Sequence, residues 1–121
     1  MAKTDLLGRW GEAEAAKFLR NNGYRIISAN YRCRFGEIDI IAQQACYIVF
    51  VEVKLRKNAD FGSAAEFVDS RKQNKLRTTA SMWLAQNETE LQPRFDVIEI
   101  YAPNGMNERG KRINHIINAF Q

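Results

Sequence analysis

Gly36-Glu37-Ile38-Asp39-Ile40-Ile41-Ala42-Gln43-Gln44-Ala45-Cys46-Tyr47-Ile48-Val49-Phe50-Val51-Glu52-Val53-Lys54-Leu55 is the stretch on which the fold turns. Rich in β-branched and aromatic residues, it reads as two strands, 36–42 and 47–55, joined across 43–46 by a short connection that suggests a hairpin. Side chains alternate along a strand, so Glu37, Asp39 and Ile41 share one face while Ile38, Ile40 and Ala42 take the other. In the second strand Ile48, Phe50, Glu52 and Lys54 stand opposite Val49, Val51, Val53 and Leu55. Strands apolar on both faces belong to a sheet covered on both sides. Asp39 and Glu52 are then at least partly buried, and a buried carboxylate needs a partner or a metal.

The connection decides whether the two acids meet. A loop centred between Gln44 and Ala45 sets Asp39 opposite Phe50, with Glu52 diagonal on the same face. A register shifted by two residues sets Asp39 directly opposite Glu52. A three-residue loop without a bulge separates them onto opposite faces.

Working outward, residues 5–22 have helical spacing, with Leu7, Gly11, Ala15, Phe18 and Leu19 on one stripe and Gly23 as terminator. Tyr24 to Tyr31 is a strand. Residues 56–67, with Asn58, Asp60, Gly62 and Ser63, read as a loop. Asp69 or Ser70 caps a second helix running to about Gln86, with Leu76, Ala80, Trp83 and Leu84 on its stripe. Pro93 ends the polar stretch that follows. Phe95 to Tyr101 is a fourth strand, 103–110 a turn-rich loop, and Arg112 to Ala119 a fifth strand or a short helix. The order α-β-β-β-α-β-β specifies an α/β fold, a mixed β-sheet flanked by helices.

The chain has 121 residues, 45% of them hydrophobic, 11% aromatic and 26% charged, which is one domain's worth, residues 1–121, with a core of its own. Disorder and fibrous repeats are excluded. Cys33 and Cys46 are isolated, with no Cys/His run for a structural zinc site, so a reducing compartment is the simpler expectation. No apolar stretch has signal-peptide or membrane-span length, and cytoplasmic residence with no membrane partner is expected. No glycine-rich phosphate loop and no serine or cysteine nucleophile arrangement supports ATP-driven or acyl-transfer chemistry.

Lys plus Arg number 18 against 14 Asp plus Glu, a net charge of +4. The distribution says more than the total. Between Ala15 and Gly36 the chain carries Lys17, Arg20, Arg25, Arg32 and Arg34 without one acid, and between residues 71 and 77 it carries Arg71, Lys72, Lys75 and Arg77 without one. Lys72 lies one turn before Leu76 and should point toward the sheet near the helix N-terminus, where phosphate is favoured. Arg32, Arg34, Arg56 and Lys57 lie at strand ends flanking the acids, where they can line a groove for a phosphodiester backbone. The plainer reading of these cations is a solvated, solubilising surface.

Two carboxylates beside a lysine suit metal-assisted phosphodiester hydrolysis: the oxygens hold Mg²⁺, and Lys54 orients or deprotonates water or stabilises developing charge. The alternative is a structural ion pair between hairpin strands, although two acids and one base leave a negative charge that suits a cation. Glu12 sits at the margin of the first helix's apolar stripe without a basic partner, whereas Glu14 has Lys17 three residues on. Glu12 either faces the acids or interacts with the helix dipole. Glu37, at a strand entrance, reads more as solvated, and the lone His115 as a packed histidine.

With Asp39 followed, after twelve residues, by Glu52-Val53-Lys54, the sequence resembles the PD-(D/E)xK nuclease superfamily, with the restriction-endonuclease-like fold. It is most similar to the YraN-like family of small proteins related to archaeal Holliday-junction resolvases. Beyond the hairpin, the resemblance is carried by Gly11-Glu12, Gly23-Tyr24, Lys72-Gln73 with Leu76, Arg94-Phe95-Asp96-Val97 and Asn114-His115-Ile116-Ile117-Asn118-Ala119-Phe120. Ile38 stands where the superfamily's name has proline, which removes no ligand. The resemblance implies a DNA endonuclease centre using Mg²⁺, or Mn²⁺ in its place, with Asp39 and Glu52 as metal ligands, Lys54 as base or phosphate stabiliser and Glu12 as a supplementary acid. It also implies branched or damaged DNA as substrate, and a homodimer where both strands of a junction are cut. Two further readings stay open: a nucleic-acid-binding module without catalysis, and an interaction subunit of a repair assembly.

Overall fold

The computed structural model describes residues 5–56, 68–106 and 110–121. The order of elements is α1 (Asp5–Asn21), β1 (Arg25–Cys33), β2 (Gly36–Gln44), β3 (Tyr47–Arg56), α2 (Ser70–Gln86), β4 (Gln92–Tyr101) and β5 (Arg112–Phe120). The five strands form one mixed sheet in the order β1-β2-β3-β4-β5, antiparallel except for β3 and β4, whose parallel pairing requires the crossover that contains α2. Residues 112–120 are thus a strand and not a helix. Most of the loop expected at 56–67, Lys57 included, and residues 107–109 lie outside the described residues.

Sequence chemistry accounts for the element ends. Gly23 at φ 87° closes α1, with Tyr24 N donating to Leu19 O at 2.9 Å. The Asp69 side chain caps α2 by accepting from Lys72 N at 2.9 Å. Pro93 lies inside β4, one residue past its expected boundary role. It is tolerated because pairing with β5 begins only at Phe95, so the missing N–H leaves no ladder bond unmade.

The two faces of the sheet carry separate cores. Ala15 and Leu19 of α1 pack with Ile40, Ala42, Val49, Val51, Ile98 and Ile100. Leu76, Ala80 and Trp83 of α2 pack with Ile38, Ile41, Ile48, Phe50 and Val97. Leu7, expected on the buried stripe of α1, is 38% exposed, and the helix packs on the sheet further along, with Trp10 against the core and the Leu55 side chain 3.3 Å from a Cβ built on Gly11.

Strict alternation also fails in β2. Ile38 and Ile41 belong to the α2 core while Ile40 belongs to the α1 core, so the facing pattern inverts around Asp39. Across from Asp39 in the β1 register, Asn30 takes a left-handed φ of 55°, which lets both strands turn at the same level.

Gly36, entering β2, has φ 149°, and a Cβ there would lie 3.0 Å from Thr79 Oγ1 of α2. Gly36→Ala is expected to destabilise the fold by about 1–3 kcal/mol, read by urea denaturation. Adding Thr79→Ala relieves the contact and leaves the backbone strain, so the double variant should recover only part of the loss.

Candidate functional site

The turn between β2 and β3 is two residues, Ala45 and Cys46, with Ala45 at φ 54°, and the ladder pairs Gln44 with Tyr47 and Ile40 with Val51. That is the shifted register, and one step further it brings Asp39 level with Glu52. The ladder stops before that step. Beyond Ile40 the β2 residues stay paired to β1, and beyond Val51 the β3 residues stay paired to β4. The sheet therefore forks between β2 and β3, and Asp39 stands in the fork, where its Oδ2 accepts from Val53 N at 2.8 Å.

Acids reach Asp39 from both sides. Glu52 acts on it electrostatically and Glu12 of α1 shares a hydrogen bond with it. Burial is the largest cause pushing the Asp39 carboxyl up to about 8, followed by the Glu52 charge; the Val53 N–H opposes, and Glu12 adds to the rise. Half-buried Glu12 thus points at the acids, one of the two orientations open to it. Glu52 is buried, and its Oε2 lies 3.1 Å from Lys72 Nζ and 3.6 Å from Lys54 Nζ. Lys72 of α2 does point to the sheet, and its direct grip on Glu52 goes beyond the phosphate role that its spacing suggested.

The sign of the pH dependence follows. A carboxyl raised from 3.8 to about 8 on folding stabilises the metal-free protein at low pH and loses that contribution as pH rises through this window. The denaturation midpoint should fall across the window, and Asp39→Asn should flatten the fall.

The cations divide into three groups. Arg34, Phe35, Arg71, Asn74, Lys75 and Thr78 line a cleft of about 420 Å³. Arg32, Lys72 and Lys75 border a neighbouring cleft of about 390 Å³. These clefts bring Arg32, Arg34, Arg71, Lys72 and Lys75 together between the β1–β2 turn and the start of α2, leading to Glu52 through Lys72. Arg56 stands apart, with Nε 3.8 Å from the Oε2 of fully buried Glu99. Glu37 pairs with Arg32 at 3.1 Å on the surface and does not join Asp39.

Among the described residues no group of three or more His, Cys, Asp or Glu side chains is placed to hold a metal ion by itself. Mg²⁺ commonly takes only one or two carboxylates, the rest of its shell being water and substrate phosphate. The donor chemistry of Asp39 and Glu52 fits that need, because both offer carboxylate oxygens, and burial followed by the charge of Glu52 already raises the Asp39 pKa.

A second buried polar cluster lies at the other end of β4. Asp96 accepts from Arg94 Nε and Nη2 at 2.9 Å each and from Asn118 N at 3.0 Å, and lies 2.7 Å from His115 Nε2. His115 packs against the rings of Phe18 and Tyr24, which agrees with its reading as a packed histidine. The Arg94-Phe95-Asp96 spacing was the available signal for this cluster, since two residues apart on a strand share a face.

A family model described as "Uncharacterised protein family UPF0102" matches residues 11–100. A UPF0102 protein of Caldanaerobacter subterraneus subsp. tengcongensis is 44% identical over 94% of this chain and 93% of its own. One of Vibrio parahaemolyticus is 47% identical over 93% and 90%, and one of Clostridioides difficile is 45% identical over 93% and 95%.

Proposed function

The chain belongs to the UPF0102 family, and from that premise we propose that it is a metal-dependent DNA endonuclease of the PD-(D/E)xK type, acting on branched or damaged DNA. The observation that carries the reading is the fork. Asp39, Glu52 and Glu12 gather where β2 leaves β3, two lysines close over Glu52, and basic clefts open alongside. Asp39 and Glu52 hold the ion, Mg²⁺ or Mn²⁺. When bound, the ion supplies Lewis acidity toward a phosphate oxygen and makes a water easier to deprotonate. Lys54 offers its ammonium to the charge that develops on the phosphate or, deprotonated, takes a proton from the water. Glu12 holds the Asp39 carboxyl in place. Arg32, Arg34, Arg71 and Lys75 bind backbone phosphates, which makes affinity fall with salt. A single centre cuts one strand, so resolving a junction requires two copies.

One observation favours a second reading, a nucleic-acid-binding protein without catalysis: Glu52 already has two lysines against it. The experiment that separates the two incubates the protein with labelled four-way junction, flap and linear duplex DNA in Mg²⁺, Mn²⁺ or EDTA, beside Asp39→Ala and Lys54→Ala. Metal-dependent cutting lost in both variants supports the enzyme. Salt-sensitive binding that survives EDTA and Asp39→Ala, with no cutting under any condition, overturns it in favour of the binding module.

A further inference from the structure

Glu52 carries two ammonium groups on one oxygen, and they come from different elements. Lys54 stands two residues along β3, on the same strand face, with Nζ 3.6 Å from Oε2. Lys72 arrives from the first turn of α2, where the Asp69 carboxylate fixes its backbone N–H, and its Nζ lies nearer, at 3.1 Å. The Glu52 side chain is 9% exposed and that of Lys72 43% exposed. An ion pair that meets solvent on the lysine side contributes little to stability, so it is readily given up.

Lys72 also lines the cleft of about 390 Å³ that Arg32, Lys75 and Thr79 border. Glu37, the acid among its lining residues, is paired with Arg32 at 3.1 Å, so a phosphate entering the cleft meets Lys72 and Lys75 without a carboxylate held to either one there. Lys72 thus stands between two places for its charge, Glu52 on one side and the cleft on the other. Its four-carbon stem lets the ammonium serve either from one backbone position. A Mg²⁺ ion held by a Glu52 oxygen at about 2.1 Å would lie only a few ångströms from that ammonium, and two cations so close beside a buried carboxylate repel strongly.

We propose that Lys72 is a placeholder for the divalent ion on Glu52, and that the ion, on binding, displaces its ammonium into the neighbouring cleft, where it binds a backbone phosphate. The inference rests on the reading of Asp39 and Glu52 as metal ligands of a DNA endonuclease, and it adds regulation to that centre: the lysine becomes available to the phosphate only as the ion takes Glu52. Lys54 keeps its separate role toward the reacting phosphate, since it shares the strand of Glu52 and does not border the cleft.

The test needs no cleavage. Mn²⁺ binding by the DNA-free protein is measured by calorimetry and by the electron paramagnetic resonance of the unbound ion. Lys72→Met should bind Mn²⁺ about ten-fold more tightly than the wild type. A lysine that merely braces the fold gives the opposite sign, because its loss would loosen the carboxylate and weaken metal binding. Lys75→Met removes the same charge three residues further along α2, from a side chain without an ion pair to Glu52, and its smaller gain measures the general electrostatic effect. Lys72→Arg keeps a cation on Glu52 and should bind Mn²⁺ no more tightly than the wild type. Lys72→Gln removes the charge while keeping an amide donor, so it carries the measurement if the methionine variant does not fold. In the wild type, Mg²⁺ should raise the rate at which an amine-acetylating reagent labels Lys72, read by mass spectrometry against Lys75, and added duplex DNA should lower it again. A gain in Lys72→Met no larger than in Lys75→Met, or Lys72 labelling that Mg²⁺ leaves unchanged, overturns the inference and leaves the endonuclease reading standing. Failure of the wild type and of every variant to bind Mn²⁺ overturns both, so the two failures are distinguishable.

Discussion

Asp39→Ala should lower metal-dependent DNA cleavage by at least about a hundredfold, the scale on which removing one preorganised electrostatic contact at a reacting centre is felt. No other side chain among the described residues can replace it, because Asp39 alone stands in the fork with acids on both sides and the Val53 N–H fixing one of its oxygens. Asp39→Asn separates charge from shape. The amide oxygen can still accept from Val53 N while the metal loses a charged ligand, so cleavage should fall nearly as far as in Asp39→Ala. In metal-free buffer above about pH 8 the asparagine variant should melt higher than the wild type, since the cost of burying a charge and the repulsion from Glu52 and Glu12, which together raise the carboxyl's pKa, are gone. A variant that both cuts as fast as the wild type and melts at the same temperature would contradict the arrangement.

Asp96→Ala carries the largest expected cost in stability, about 3–5 kcal/mol by urea denaturation near neutral pH. It strips the partner from a 92% buried arginine, from His115 Nε2 and from the Asn118 N–H at once. Against a typical total of about 5–15 kcal/mol, such a loss leaves a marginal fold. Burial alone would raise the Asp96 carboxyl, but hydrogen bonds from His115, Arg94 and Asn118 together hold it below the ordinary 3.8. The contribution of Asp96 is therefore present above that value and lost as pH falls below it, opposite in sign to that of Asp39. Acid titration of the wild type should show both limbs, and Asp39→Asn should remove only the one toward high pH.

Much of the fold was legible because period and punctuation agree. Gly23 and Asp69 mark helix ends for reasons internal to the chain, and the apolar stretches at 38–42 and 47–53 admit few structures besides central strands. The register of the β2–β3 hairpin was less legible, because Gln43 and Gln44 are polar enough to read as loop yet extend β2, and the turn rests on Ala45 in a conformation its sequence does not advertise. Alternation in β2 misled for a related reason: the inversion around Asp39 depends on Asn30 of another strand, which no local pattern in 36–44 encodes. At the candidate site the acids and Lys54 could be picked out by their placement in apolar strands. The reach of Lys72 to Glu52 and the isolation of Arg56 with Glu99 needed the crossover and the β3–β4 pairing, which are set by contacts distant in sequence.

The fork gives the protein a spectroscopic reporter of its own. Val53 N–H is held by the Asp39 carboxylate, so its chemical shift and its exchange with deuterium follow the charge state and the occupancy of that one side chain. Titrating acid, magnesium or manganese into labelled protein while watching the amide of Val53 reads the centre directly, without a substrate and before any strand of DNA is cut.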